Sequence, residues 1–321
     1  MRRRIRTLAA AFLALPLALA VAPSAHAADP TTMTSGFYVD PNSSAQQWVA
    51  ANPGDGRAPA ISTSLAHTPM ARWFGSWSGT IGTATGAYAG AADQSDKLPV
   101  LVAYNIYNRD TCGGQSGGGA ASPAAYASWI AQFAGGIAGR PAVVVLEPDS
   151  LADYGCMNQA QIRERQGMIS GALAEFHRQT PNTWVYLDAG NPGWVSPATM
   201  AQRLHEAGLR QAHGFSLNVS NYFTTAQNTA YGTSVNSELA ARYGYTKPFI
   251  VDTSRNGNGS NGEWCNAAGR RIGTPTQLGG GAEMLLWIKA PGESDGNCGV
   301  GTGSTAGQFL PEVAYKMIHG Y

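Results

Sequence analysis

The chain has 321 residues, of which 44% are hydrophobic and only 13% are charged, and its formal net charge is +1. This length suits one large domain or two small ones, and the apolar fraction is sufficient for a complete core. A net charge this close to zero argues against a nucleic-acid-binding protein and against a protein that binds anionic membranes electrostatically.

The first 27 residues have the composition of a secretory signal peptide. Four arginines within the first six residues precede an apolar stretch over residues 8–22, and Ala25-His-Ala27 is a small-x-small cleavage site. Pro16 and Pro23 argue against a membrane anchor. We therefore predict export, by the general or the twin-arginine route, and cleavage after Ala27. Cleavage removes four arginines from a chain of net charge +1, so residues 28–321 have a net charge of −3.

Four cysteines lie after the predicted cleavage site: Cys112, Cys156, Cys265 and Cys298. An even count in an exported chain predicts disulfides, and three pairings are possible. No C-x₂-C spacing typical of a zinc site is present, so no metal is expected. We expect the pairs Cys112–Cys156 and Cys265–Cys298, because both close loops of moderate length, each contributing about 3–4 kcal/mol to stability.

Seven short apolar runs alternate with segments of helical spacing. The runs cover residues 71–77, 98–104, 142–146, 183–187, 214–217, 248–251 and 283–288. The helical segments cover residues 123–138, 159–176, 197–207 and 235–243, with Asn158 as an N-cap. Continuous apolar runs are typical of parallel strands that are covered on both faces.

This order predicts an α/β fold, a distorted and incomplete TIM-like barrel of seven parallel strands. A doubly wound open sheet is the alternative. No repeat and no linker interrupts residues 28–321, so we expect a single catalytic domain there.

Acidic residues follow most of the predicted strands. They are Asp110, Glu147, Asp149, Asp188, Asp252, Glu293 and Asp295. In a β/α barrel the carboxyl ends of the strands form one mouth, so these side chains are expected to converge there. Pro148 stops strand pairing where the turn begins. Single acids of this kind also cap helices or pair with arginine, and Asp188 and Asp252 suit that structural role best.

Carboxyl groups beside aromatic rings are typical of enzymes that hydrolyse glycosidic bonds. The reaction requires a protonated acid at the leaving oxygen and a carboxylate that activates water or attacks the sugar. Neighbouring carboxylates raise each other's pKa, which keeps the acid protonated. Trp194 and Trp264 lie in polar loops, where flat rings can stack on sugars, whereas Trp287 in mid-strand is expected in the core.

Two local motifs suggest other chemistry but lack its structural context. Gly114-Gln-Ser116-Gly-Gly118 fits the nucleophile elbow G-x-S-x-G, yet it lies about ten residues past the nearest predicted strand. Gly257-Asn-Gly259-Ser-Asn-Gly262 fits the dinucleotide motif G-x-G-x-x-G, but no helix follows it. The histidines form no H-E-x-x-H motif, so neither a cofactor nor a catalytic zinc is expected.

Six segments, in order along almost all of the chain after residue 27, resemble glycoside hydrolase family 6. They are Tyr104-Asn-Ile-Tyr-Asn-Arg-Asp110, Leu146-Glu-Pro-Asp-Ser-Leu151, Leu187-Asp-Ala-Gly190, Asn218-Val-Ser-Asn-Tyr222, Asp252-Thr-Ser-Arg-Asn-Gly-Asn-Gly259 with Glu263-Trp-Cys265, and Trp287-Ile-Lys-Ala-Pro-Gly-Glu-Ser-Asp295. The resemblance implies a seven-stranded distorted β/α barrel. It also implies an inverting enzyme that cuts β-1,4-glucan.

The resemblance assigns roles to individual residues. Asp149 would be the general acid, and Asp110 would tune its proton and help to handle water. Tyr104 would crowd the sugar at the cleavage point, and Asp295 is the candidate base, with a chain of waters as the alternative. The remaining residues would bind sugar: Trp73, Trp194 and Trp264 as platforms, and Asn218, Lys289 and Glu293 through polar contacts.

Three features bear on how the chain would act within the family. Asn191 stands where many relatives have His after Asp-Ala-Gly, so that sugar contact is not carried over. Thr111 separates Asp110 from Cys112, where relatives often have Cys directly after Asp. Exo-acting members close the cleft with long loops, but only 25 residues follow Gly296 in this chain of 321, including a helix expected from about Pro311.

We therefore expect an open cleft and internal cutting by a secreted, monomeric endo-β-1,4-glucanase. Its expected partner is a β-glucan, without a cofactor, a nucleic acid or a membrane. The alternatives are an exo-acting cellobiohydrolase of the same family, a non-catalytic polysaccharide-binding barrel, and a hydrolase that prefers another glucan.

Overall fold

A computed structural model describes residues 28–113 and 116–321. The expected signal peptide, residues 1–27, lies outside the described residues, as do Gly114 and Gln115 of the G-x-S-x-G motif. The fold is built around one curled sheet. Its strands are β1 Arg72–Phe74, β2 Val100–Ala103, β3 Ala142–Leu146, β4 Thr183–Asp188, β5 Gly214–Leu217, β6 Phe249–Asp252, β7 Gln277–Leu278 and β8 Met284–Leu286.

Strands β1 to β6 follow one another across the sheet in chain order, all parallel, and β8 continues the sheet beside β6 in the same direction. These are the seven predicted strands. The eighth, β7, is an addition of two exposed residues that pair antiparallel with β8. The first strand is shorter than expected, because it ends at Phe74 and a 3₁₀ turn follows over Ser76–Ser78.

The sheet curls and brings the residue before β1 against the residue after β8, although these two strands do not pair. The backbone N–H of Ala71, just before β1, donates to the carbonyl of Trp287, just after β8, at 2.8 Å. The result is an incomplete barrel, as predicted, and not the doubly wound alternative.

The strands are covered on both faces, which explains their continuous apolar sequences. Alternate residues of neighbouring strands form an inner cluster that fills the barrel, including Val102, Val143, Val145, Ile250 and Leu286. The intervening residues pack outward against the helices, including Leu101, Val144, Leu146, Ile130 and Phe133.

Eight α-helices accompany the sheet within the described residues. They are α1 Ser44–Ala51, α2 Ala58–Ile61, α3 Ile81–Gln94, α4 Pro123–Ile137, α5 Gln159–Gln179, α6 Pro197–Glu206, α7 Thr225–Tyr243 and α8 Pro311–His319. Asn158 caps α5 as predicted, since its side chain accepts from the N–H groups of Ala160 and Gln161. Helix α7 begins ten residues earlier than predicted, because its buried face contains Asn228 and Gly232, which interrupt the apolar period.

The two disulfides in the structure are the expected pairs. The two Cα atoms are 5.1 Å apart in Cys112–Cys156 and 6.0 Å apart in Cys265–Cys298. Each joins two segments that follow carboxyl ends of strands, which restrains the loops there. In the part of the chain that the structure describes, no helix is both long and apolar enough to cross a membrane.

Candidate active site

The chain turns sharply at the end of β3, and this turn separates two acids. Glu147 and Asp149 both have positive φ angles, of 50° and 71°. The expectation that both lie at the mouth is wrong for Glu147, whose side chain is fully buried. Its carboxylate accepts from the backbone N–H groups of Asn105 and Ile106 at 2.9–3.0 Å. Asp149, in contrast, is partly exposed.

Asp149 lies among three other carboxylates. Burial raises the pKa of Asp149 well above its ordinary value, and the negative charges of Asp188, Asp110 and Asp153 raise it further. Asp188 also accepts the backbone N–H of Asp149 at 2.9 Å, which holds the two residues together. Asp149 therefore keeps a proton at pH values where an exposed aspartate has lost it.

The loop after β2 is fastened to the turn that contains Asp149. Asp153, a few residues further along that turn, accepts from the backbone N–H groups of Thr111 at 2.5 Å and Cys112 at 2.8 Å. The disulfide to Cys156 joins the same two segments. Sequence analysis did not identify Asp153, which has no distinctive motif besides its spacing after Asp149.

Asp110 lies in this fastened loop. Its Oδ2 accepts from the backbone N–H of Ser116 at 2.6 Å, and its Oδ1 accepts from that of Gly113 at 3.2 Å. The side chain is partly exposed. Together with the charge effect on Asp149, this places the two aspartates predicted to share proton handling in one site.

Tyr104 lies at the end of β2 between Trp73 and Arg109. The rings of Trp73 and Tyr104 meet edge to face with centroids 5.1 Å apart, and the guanidinium of Arg109 lies 4.0 Å from the Tyr104 centroid. Arg109 also donates to the carbonyl of Tyr104 at 2.7 Å. Burial, reinforced by Asp149, raises the pKa of Tyr104, so its phenol is neutral.

Asp295 lies in the loop after β8 and is surrounded by cations. Nη1 of Arg255 lies 3.0 and 2.8 Å from its two oxygens, and Nζ of Lys289 lies 3.4 Å from one of them. Its Oδ2 also accepts from the N–H of Asn266 at 3.0 Å. Burial alone would raise the pKa of Asp295, but Arg255 and Lys289 outweigh burial and lower it.

Glu293 and Lys289 are brought next to Asp295, as the sequence predicted for residues of one site. Glu293 accepts from the hydroxyl of Ser44 at 2.8 Å, and burial raises its pKa despite the nearby Lys289. Lys289 also donates to the carbonyl of Ser294 at 3.3 Å.

Two of the three predicted sugar platforms are exposed rings beside strand ends. Trp194 is 41% exposed and follows β4, and Trp264 is 47% exposed and follows β6. Trp73 is partly buried, with its Nε1 donating to the carbonyl of Ile288 at 2.8 Å. Trp287 is 1% exposed and belongs to the core, as predicted.

The structure corrects the assignment of Asn218 to substrate binding. Asn218 has no exposed surface, and its amide donates to the carbonyl of Asp252 at 2.8 Å and accepts from the N–H of Phe223 at 3.1 Å. It supports the loop after β5 instead of lining the cleft. Asn191, the departure from the family pattern, is also fully buried and accepts from the N–H of Gly193.

Asp188 and Asp252 have the structural environments that the sequence suggested. Asp252 is fully buried and accepts from four backbone N–H groups, those of Ser220, Ser254, Ile288 and Lys289. It thereby joins the ends of β5, β6 and β8. Asp188 is 2% exposed and accepts from Asp149, Gly190 and Ser216.

Two arginines were not among the predicted site residues, although both lie in the motifs that carry the family resemblance. Arg109 is 9% exposed and Arg255 is 1% exposed. Arg255 pairs with Asp295 far along the chain, and Arg109 acts through the carbonyl and the ring of Tyr104, so neither role could be read from the spacing of acids. Within residues 28–113 and 116–321, no three His, Cys, Asp or Glu side chains are grouped as metal ligands.

Comparison with known proteins gives consistent matches over most of the chain. The sequence profile of Glycosyl hydrolases family 6 matches residues 32–320. Endoglucanase 1 of Streptomyces halstedii is 80% identical over 321 residues, which span the whole of both chains. Endoglucanase A of Thermobispora bispora is 43% identical over 95% of this chain and 65% of its own length.

The fold comparison agrees with the sequence comparison. The solved structure of an endoglucanase from Mycobacterium tuberculosis, in complex with methyl-cellobiosyl-4-deoxy-4-thio-β-D-cellobioside, superposes with a TM-score of 0.82. It is 37% identical and covers 91% of this chain and 99% of its own. With the profile match and the grouped acids, these findings show that the chain belongs to glycosyl hydrolases family 6.

Proposed function

We propose that the protein is a secreted, inverting endo-β-1,4-glucanase that hydrolyses internal bonds of cellulose or soluble β-glucan. The observation that carries this proposal is the partly exposed Asp149, whose pKa is raised by burial and by Asp188, Asp110 and Asp153. An acid of this kind can donate a proton to a glycosidic oxygen at the pH where the enzyme works. The full-length match to Endoglucanase 1 of Streptomyces halstedii supports the same activity.

In the proposed mechanism Asp149 protonates the leaving oxygen while water attacks the opposite face of the sugar, which inverts the anomeric centre. Asp110 stabilises the protonated form of Asp149 through its negative charge, and it accepts protons from the water that surrounds the reaction centre. Tyr104, held by Trp73 and Arg109, crowds the sugar at the cleavage point. Its phenol remains neutral and can donate a hydrogen bond.

The environment of Asp295 argues against a direct role as the base. Its two oxygens are occupied by Arg255, Lys289 and Asn266, and its pKa is lowered. A carboxylate with a low pKa that is already paired takes a proton from water poorly. We infer that the proton of the attacking water leaves through a chain of waters to solvent, and that Asp295, held by the buried Arg255, positions Lys289 beside the sugar.

The substrate would lie across the aromatic rings at the mouth, of which Trp194 and Trp264 are exposed and Trp73 is partly buried. Trp73, Trp194 and Trp264 offer faces for stacking, while Lys289 and Glu293 offer a cation and a carboxyl group for hydroxyls. Trp73 lies in β1 and the other groups follow β4, β6 and β8, so a bound chain would cross the carboxyl end of the barrel.

The loop after Asp295 supports an open cleft and thus internal cutting. The N–H of Ser294 donates to the carbonyl of Gln308 at 2.9 Å, and the N–H of Leu310 donates to that of Gly292 at 2.8 Å. These bonds close the loop at its base, and the disulfide from Cys298 holds it to Cys265. Such a compact loop is unlike the long loops that would enclose a chain end.

The experiment is a comparison of viscosity and reducing ends during hydrolysis of carboxymethylcellulose. Internal cutting lowers viscosity long before many reducing ends appear, whereas release of cellobiose from chain ends leaves viscosity nearly unchanged. Binding without any release of sugar would instead support the non-catalytic barrel. Rates on mixed-linkage barley glucan measured in parallel would identify another glucan preference.

Export and organisation belong to the same proposal. We infer that cleavage after Ala27 releases residues 28–321 as one catalytic domain that works as a monomer outside the cell. N-terminal sequencing of the protein from the culture medium should begin at Ala28, and light scattering should give the mass of one chain.

A further inference from the structure

Three large aromatic side chains are strongly exposed near strand ends, and Trp77 is the most exposed of them. Trp77 is 58% exposed, compared with 47% for Trp264 and 41% for Trp194. We propose that Trp77 is a further platform that stacks on a glucosyl residue of a long β-1,4-glucan chain, adding one binding position on the β1 side of the cleft. This inference rests on the proposed function.

The indole of Trp77 is held in place although much of its surface is open. It lies in the short 3₁₀ turn after β1, and the ring packs against the backbone of Gly75. A Cβ at position 75 would lie 2.5 Å from Cη2 of Trp77, so only glycine allows this contact. The hydroxyl of Ser78 accepts from the N–H of Gly75 at 3.1 Å and closes the turn. Contact with this backbone surface covers one side of the ring and leaves the rest open to solvent.

A continuous series of contacts connects Trp77 to the proposed cleavage point. The guanidinium of Arg109 lies 5.8 Å from the Trp77 ring and 4.0 Å from the Tyr104 ring, and Tyr104 meets Trp73 at 5.1 Å. Trp77 is therefore at the same end of the barrel as Asp149, but Arg109 separates it from Tyr104. A sugar on Trp77 would belong to a part of the substrate away from the bond that is cut.

An exposed indole beside a binding cleft leaves a flat apolar face available to a ligand. Tryptophan is highly buried on average, and an open apolar ring beside a binding cleft is typical of a ligand contact. Flat rings suit the apolar faces of β-linked glucosyl units. A β-1,4-glucan chain that runs along the cleft supplies such a face.

A structural role for Trp77 is the competing explanation. In that case the ring would only shield Arg109, which in turn supports Tyr104. Loss of the ring would then impair every substrate equally, because the geometry at the cleavage point would change. The two explanations therefore differ in how the effect depends on the length of the substrate.

The test compares wild-type protein with Trp77→Ala and Trp77→Phe on cellotetraose and cellohexaose. Leu278→Ala is the control at another exposed apolar side chain, since Leu278 is 55% exposed and pairs with Met284 at the amino end of β8, opposite the cleft. We expect Trp77→Ala to lower kcat/KM on cellohexaose about 10-fold, mainly through KM, as loss of one stacking contact would. On cellotetraose the change should stay within about twofold, and Trp77→Phe should recover most of the loss.

Equal losses on both oligosaccharides, or a lower Tm with a shifted pH profile, would overturn the platform in favour of the structural role. Unchanged kinetics on both would also overturn it. Calorimetric binding of cellohexaose to Asp149→Asn, with and without Trp77→Ala, separates this inference from the proposed function. A protein that never cleaves but binds cellohexaose through Trp77 would refute hydrolysis and leave the platform intact.

Discussion

Nη1 of Arg255 lies 3.0 and 2.8 Å from the two oxygens of Asp295, and both side chains are nearly inaccessible to solvent. A buried pair of this kind is costly to break, because the remaining charge has neither water nor a partner. Asp295, which the family resemblance suggested as the base, is therefore part of a structural ion pair beside the cleft.

Replacement of Asp295 by Ala should therefore affect stability as well as activity. We expect the free energy of unfolding to fall by about 3–5 kcal/mol, because the charge of Arg255 is left unpaired. Urea unfolding measures this loss. Added azide should leave the low activity of the variant unchanged, since no base has been removed. Recovery of the rate with azide would show that Asp295 takes the proton directly.

Asp149→Asn should lower kcat on soluble β-glucan by at least about 100-fold, the usual scale for a lost general acid. The loss should be smaller on an aryl cellobioside whose phenolate leaves without protonation. Asp93→Asn is the charge-matched control, as Asp93 is an exposed residue on α3, and its activity should equal that of wild type. Near-normal hydrolysis of glucan by Asp149→Asn would refute the assignment.

The stereochemistry of the product tests the inverting mechanism independently. Proton NMR during the first minutes of cellohexaose hydrolysis should show the α-anomer, which later mutarotates to the equilibrium mixture. Early accumulation of the β-anomer would mean that a carboxylate attacks the sugar and that the two reacting carboxyl groups are closer together than inversion requires.

Asp188→Asn should move the alkaline limb of the pH–kcat profile to lower pH. Asp149 must be protonated to act as an acid, so activity falls as pH rises through its pKa. Burial raises that pKa and the charge of Asp188 adds to it, so a neutral amide lowers the pKa. The amide can still accept from the N–H groups of Asp149 and Gly190. An unmoved or more alkaline limb would contradict this account.

Glu147 should make the fold less stable as pH rises towards neutrality. Burial raises the pKa of Glu147 from 4.5 to about 7, so the folded protein binds a proton that the unfolded chain has released. The contribution of Glu147 to the free energy of unfolding is fully present below about pH 4.5. It is lost progressively as the pH rises to about 7, a change of about 3 kcal/mol. Urea unfolding of wild type and Glu147→Gln at pH 4.5, 6 and 8 should show a flatter dependence in the variant. The same pH dependence of the unfolding free energy in both proteins would disprove this role of Glu147.

Sequence analysis placed the strands well where apolar runs are bounded by polar residues. Ala142–Leu146 and Gly214–Leu217 agree with prediction to the residue. The strand β7 was missed because its two residues are exposed and have no apolar pattern. Helix α3, rich in alanine and glycine, was missed because its buried face differs little in hydropathy from its exposed face.

Within the site, sequence reasoning identified residue types better than side-chain directions. Glu147 and Asp149 are separated only by Pro148, yet one is buried and the other partly exposed. The positive φ angles that turn them apart are rare for such residues and leave no mark in composition. The same applies to Asn218, whose φ of 66° turns it into the loop after β5.

The left-handed backbone at Asp110 and Asp149 has a consequence for the engineering of this enzyme. Each such residue stores about 1–2 kcal/mol that glycine, and to a lesser degree asparagine, would release. Selection for heat resistance alone would thus favour replacing the residues on which hydrolysis depends. Directed evolution of a thermostable form should demand turnover in every round and seek its gains in the outer helices.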